Sequence, residues 1–173
     1  PTHSGRSLPT MDRKLGFEPF HRAGSRVGFD LLDFWRWVDS DLLSNTLRGR
    51  LAEYLVATAL DVHTGSVRTE WASFDVLSLS GTKVEVKSAA YIESWTRRKA
   101  STISFGIQPT RTSDRQDDAA NTSGVTPSRQ ADVYVFALLH HRERAKIDPL
   151  DLEPWTFYVL PTSILNAQCY NQR

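Results

Sequence analysis

The sequence predicts an α/β fold, with a mixed central β-sheet flanked by α-helices. Two helical patterns come first, over residues 30–41 and 46–60. Strand patterns follow at 73–79, 83–88, 101–107, 131–140 and 155–160. The strand at 131–140 (ADVYVFALLH) is apolar on both faces, as a strand central in its sheet must be. A length of 173 residues suits one domain rather than two. A hydrophobic fraction of 40% with 24% charged residues is enough for a core.

Residues 1–28 are rich in Gly, Pro, Ser and Arg and read as a loosely ordered arm, with a short packed piece at 17–20. The chain starts at Pro1, as after removal of an initiator or as in a fragment. In 30–41 (DLLDFWRWVDSD), Leu31, Leu32, Phe34, Trp35 and Val38 recur at helical spacing. Ser44 or Asn45 caps the next helix by accepting from its first N–H groups. There Leu47, Leu51, Tyr54, Leu55 and Ala59 make the apolar face, widened by Ala52, Val56 and Ala57. Glu53 lies close to that sector, away from the Arg48/Arg50 side, and needs a partner because a lone buried charge is costly.

Residues 73–79 (SFDVLSL) form the first strand, Ser80-Gly81-Thr82 a turn, and 83–88 (KVEVKS) a strand alternating with period two. The two make a hairpin. Residues 101–107 (STISFGI) read as a third strand. Residues 111–130 carry too little apolar area to pack, and a mobile loop is expected. After 131–140, the last strand (WTFYVL) is bounded by Pro154 and Pro161, and Pro161-Thr162-Ser163 starts a short final helix. A single domain over 29–173 is expected.

No stretch approaches the roughly 18 to 20 apolar residues that span a bilayer. The N-terminus has no apolar core of a signal peptide. Cys169 is the only cysteine, so no internal disulfide forms, and a reducing, cytoplasmic compartment is expected. Near a polar C-terminus that thiol reads as inert. The net charge of +1 does not announce a nucleic-acid binder. Locally, however, Lys83, Lys87, Arg97, Arg98, Lys99, Arg111 and Arg115 face only Glu85, Glu93 and Asp114 in the sequence. Asp148, Asp151 and Glu153 offset them further on.

Alternation puts Val84 and Val86 in the core and Lys83, Glu85 and Lys87 on the other face. The register of the hairpin brings Asp75 to the region of Glu85. Two such carboxylates repel, and a hard divalent cation resolves the repulsion. Magnesium suits a site of one or two carboxylates, because it keeps its water and accepts phosphate oxygens; manganese is the alternative. Lys87 beside them orients or deprotonates a water, or neutralises charge on the phosphorane. Glu53 reaches the same place as a further ligand or water holder.

Asp75, Glu85-Val86-Lys87 and the helical Glu53 resemble the PD-(D/E)xK nuclease superfamily, which includes many restriction endonucleases and archaeal-type Holliday junction resolvases. The likeness covers about residues 45–140. It implies a restriction endonuclease-like core and metal-dependent hydrolysis of phosphodiester bonds, with DNA as substrate. It implies Asp75, Glu85 and the Val86 carbonyl as metal ligands. A homodimer is also expected, since two strands must be cut. The chain departs from the pattern twice: Phe74 stands where the motif has Pro, and 111–130 is polar where a crossover helix is expected. The competing function is an inactive module of the same fold, serving DNA binding or assembly.

Beyond the triplet, Ser88 contacts phosphate or simply ends its strand. Tyr91 and Trp95, among Arg97, Arg98 and Lys99, suit stacking on bases with phosphate contacts, or pack on the sheet edge. Arg111 and Arg115 close over DNA. His140 and His141 point oppositely on a strand and make a poor chelating pair. Trp35, Trp37, Trp71 and Trp155 read as core or half-buried.

Overall fold

A computed structural model describes residues 12–62, 65, 67–68, 72–94, 101–110 and 126–168. Its architecture is α/β. A hairpin of β1 (Pro19–Arg22) and β2 (Ser25–Asp30) leads into helix α1 (Leu31–Val38) and then α2 (Asn45–Ala59). Strands β3 (Val76–Leu77), β4 (Lys83–Ala90), β5 (Val133–Leu139) and β6 (Trp155–Pro161) form one sheet in that order, and α3 (Thr162–Gln168) closes the described chain. β3–β4 and β5–β6 are antiparallel and β4–β5 is parallel, so the sheet is mixed as expected.

Local chemistry sets the helix starts. Asp30 caps α1 in a reciprocal box with Asp33, each side chain accepting from the other's backbone N–H at 3.1 Å. Ser44, one of the two expected caps, accepts from Leu47 N at 3.3 Å to start α2.

β5 is the spine. Tyr134 through Leu139 are all buried, with Val135, Ala137 and Leu139 on the α2 side and Tyr134 and Phe136 on the other. On the first face Ala52 and Val56 of α2 pack with Val84, Val86, Ala90 and Trp155. Ala52 is fully buried, and its small side chain lets the helix approach the sheet closely.

Several expectations need correcting. The buried stripe of α2 is Arg48–Ala52–Val56, and Tyr54 is 55% exposed. Arg48, read on the side away from the apolar sector, is buried, with Glu93 beyond β4 accepting from it at 3.3 Å and Asn45 and the Leu43 carbonyl as further partners. Residues 101–107 are not a strand of the sheet. They alternate half-buried and exposed as predicted, but Phe105 and Ile107 lie on the sheet face, with Phe105 5.0 Å edge-on to Phe136. Period-two burial reports one covered side and says nothing of a ladder. Part of the expected arm, Pro19–Asp30, is a hairpin closed by Ala23 and Gly24, both at positive φ, as the primed turns of two-residue hairpins require. Trp155 is buried as read, whereas Trp37 is 82% exposed. Trp71, Cys169 and the loop at 111–125 lie outside the described residues.

Leu139 is fully buried at the centre of the main core. Leu139→Ala should cost about 2 to 5 kcal/mol in urea unfolding. A loss under about 1 kcal/mol would mean that the core collapses around the gap.

Candidate active site

The hairpin β3–β4 builds the site. Val76 pairs with Val84 and Leu77 with Lys83, so one step further Asp75 stands across from Glu85. The backbone N–H of Asp75 donates to Val84 O at 3.0 Å, and its Oδ2 accepts from Val86 N at 2.8 Å. The side chain thus takes over as acceptor where main-chain pairing stops. A strand residue sends its N–H and C=O to the same edge, so the Val86 carbonyl shares the Asp75 edge. Lys87, two residues along β4, is on the same face as Glu85 and donates to its Oε1 at 2.5 Å. The hairpin thus brings Asp75 beside the Glu85–Lys87 segment of β4.

Glu53 completes the cluster from α2, through a residue that sequence reasoning missed. The Arg68 guanidinium donates to both Glu53 oxygens, at 2.5 and 3.0 Å, and stands 3.8 Å from Asp75 Oδ1. The sequence signal was Glu53 itself, whose place near the apolar sector called for a cation. The distance of 15 positions along the chain hid which one. Tyr134 is the second missed neighbour: it is 5% exposed, directly across from Glu85 on β5, and therefore on the same face. Burial first, and the Glu85 charge next, raise its phenol pKa.

The charges are strongly coupled. Asp75 is pushed up to about 6, by burial first and then by the charge of Glu85, with Glu53 adding to it. The Val86 N–H and Lys87 pull the other way. Burial works against the Lys87 ammonium, yet its hydrogen bond to Glu85 and the charges of Glu85 and Asp75 outweigh that and raise its pKa. Lys87 is therefore a cation at neutral pH.

The donor set fits a divalent ion with few protein ligands. Asp75 and Glu85 each commit one oxygen in these bonds, and the Val86 carbonyl lies on the Asp75 edge. Among the described residues no cluster of three His, Cys, Asp or Glu side chains could hold a metal ion. Carboxylate and carbonyl oxygens are the hard donors that suit magnesium or manganese.

Of the remaining expected residues, Ser88 and Tyr91 are described. Ser88 falls on the α2 face by alternation, where a Cβ on Gly49 would lie 3.9 Å from its hydroxyl. Tyr91 is about 13 Å along the chain from Lys87 at strand spacing. Its ring lies under the Arg142 guanidinium at 4.1 Å and 6.4 Å from the His140 ring. Trp95, Arg97, Arg98, Lys99, Arg111 and Arg115 lie outside the described residues.

The family model of bacteriophage T4 endonuclease IV matches residues 36–170, so the chain belongs to that family. The matched span contains Glu53, Arg68, Asp75 and Glu85 through Lys87. No curated protein and no solved structure matches the chain.

Asp75 keeps its proton to a higher pH in the fold, about 6, than at its usual 3.8. Between those values the folded chain binds more protons than the unfolded one, so stability falls as pH rises through the window. Above it the ionised carboxylate costs on the order of 3 kcal/mol. Asp75→Asn keeps an acceptor for Val86 N–H. It should raise the melting temperature at about pH 7.5 by several degrees and lose that advantage below about pH 4. A variant less stable than the wild type at about pH 7.5 would make Asp75 a structural asset instead.

Proposed function

We propose that this member of the family is a metal-dependent endonuclease of the PD-(D/E)xK kind that hydrolyses phosphodiester bonds in DNA. One observation carries the reading: Asp75 and Glu85 meet across the β3–β4 hairpin with Lys87 hydrogen-bonded beside them. The helical Glu53 and the acid-x-Lys order on β4 support the superfamily assignment.

Asp75, Glu85 and the Val86 carbonyl are the groups to hold magnesium or manganese. Such an ion, when bound, polarises a phosphate oxygen and lowers the pKa of a water. Lys87 stays protonated, so it acts as a charged donor toward the phosphate or the attacking water and not as the base that takes the proton. Glu53 acts through Arg68. Its two hydrogen bonds hold the guanidinium beside Asp75, which sets a second fixed cation near the place where phosphorane charge would build. Tyr134 lines the face next to Glu85 and keeps water from it.

Plasmid and linear DNA, with RNA alongside, would be incubated with magnesium, manganese or a chelator. Wild type should cut only with metal. Asp75→Ala and Lys87→Ala should each lower the rate about a hundredfold or more, as loss of a ligand or of an electrostatic stabiliser does. Cleavage that survives the chelator, or both variants cutting at the wild-type rate, would remove the site from the reaction.

Arg68→Gln gives a separate test. It should lower kcat about tenfold or more while Lys87→Ala remains the more severe change, because Glu53 then holds no full cation. An unchanged kcat would restrict the Arg68–Glu53 pair to a packing role.

A further inference from the structure

The N-terminal hairpin is outside the family match, which begins at residue 36. It is also outside the four-stranded sheet. Its base is tied down: Leu31 N donates to Glu18 O at 3.0 Å and Leu32 N to Gly16 O at 2.7 Å, fastening the hairpin to α1. The rest is open. Phe20 and Phe29 form a ring pair 5.0 Å apart and remain 41% and 54% exposed, and Trp37 on α1 is 82% exposed. Such rings on a two-stranded ribbon bury little of their own area, so their exposure calls for a purpose.

The charge at the ribbon tip is positive. Residues 12–30 carry Arg13, Lys14, Arg22 and Arg26 against Asp12 and Asp30 at the two ends and Glu18 between them. The Glu18 carboxylate is occupied by the backbone N–H groups of Leu15 and Gly16, both at 2.8 Å. Arg22 pairs with Ser25 and Arg26 with His21 across the ribbon, and all four side chains are exposed. Nothing acidic on the ribbon strands before Asp30 competes for the two arginines.

We propose that the β1–β2 hairpin is an accessory docking arm for a nucleic-acid strand. Phe20 and Phe29 stack on bases, and Arg22 and Arg26 pair with phosphates. Aromatic rings interleaved with cations are the chemistry that grips nucleic acid without reading its sequence. A polyanion also answers the positive ribbon tip, which a hydrophobic protein partner does not. The inference rests on the nuclease reading above and adds to it a binding element remote in sequence from Asp75 and Glu85.

The full chain would be titrated with a fluorescein-labelled single-stranded oligonucleotide in chelator, so that binding is read without cleavage, at several salt concentrations. Phe20→Ala/Phe29→Ala should weaken binding about thirtyfold or more, the loss of two stacked bases. Arg22→Ala/Arg26→Ala should weaken it and flatten the slope of log Kd against log salt by about 1.5, the loss of two phosphate contacts. With metal, both double variants should need more DNA to reach half-maximal cleavage, because binding has been weakened. All four positions are exposed, and circular dichroism would verify the folds. Variants that bind as tightly as a cutting wild type would overturn the arm and leave the nuclease standing. A wild type that binds through the hairpin but does not cut would sink the nuclease reading and keep the arm. Unchanged DNA affinity with an altered oligomeric state in light scattering would give the face to a second copy and end the proposal.

Discussion

The candidate site depends on the substitution of a side chain for a main-chain acceptor. β3 is only two residues long, and its ladder to β4 would end at Asp75. Asp75 instead bonds Val84 O through its own N–H and takes the Val86 N–H with its carboxylate. A buried N–H left unpaired would be costly, so this carboxylate is held in place by the backbone rather than by a flexible side-chain contact. The position opposite Glu85 follows from the register, and Lys87 follows from the pleat. One hydrogen bond therefore fixes the relation of three charged groups.

That arrangement is electrostatically uneasy by itself. Three carboxylates, on Glu53, Asp75 and Glu85, share a half-buried corner with two cations, Arg68 and Lys87. Burial and the charges of Glu85 and Glu53 push the Asp75 pKa up, and the Val86 N–H and Lys87 offset only part of the rise. A structural ion-pair network would be expected to satisfy its central member best. Here the central member is satisfied least, as in sites where a fold keeps a charge ready for a ligand.

The core makes this possible. β5 is buried on both faces and holds β4 in parallel register along the whole strand, from Val84 to Ala90. α2 presses on one face through Ala52 and Val56, and the 101–107 segment with α3 covers the other. β4 cannot slip by a residue without moving Val84 and Val86 out of the core and Glu85 and Lys87 into it.

The sequence by itself determined the class of fold, most of the elements and the acid-x-Lys face. Those signals are local: helical spacing in α2, alternation in β4, and the doubly apolar run of β5 are each written in consecutive residues. The Asp75–Glu85 pairing was also legible, because a short turn leaves a hairpin few registers. Tertiary structure decided the rest, since it depends on groups far apart in the chain. Glu53 showed that it needed a cation, but only the fold chose Arg68. Nothing local showed that Arg48 is buried, because its partner Glu93 lies 45 positions on. Residues 101–107 alternate like a strand, yet they found a sheet face rather than a free edge. The hairpin at Pro19–Asp30 left no apolar alternation to read, because both its faces stay open and only its turn and its tie to α1 hold it. Periodicity records which side of a segment is covered, and the identity of the cover is settled only when distant parts of the chain meet.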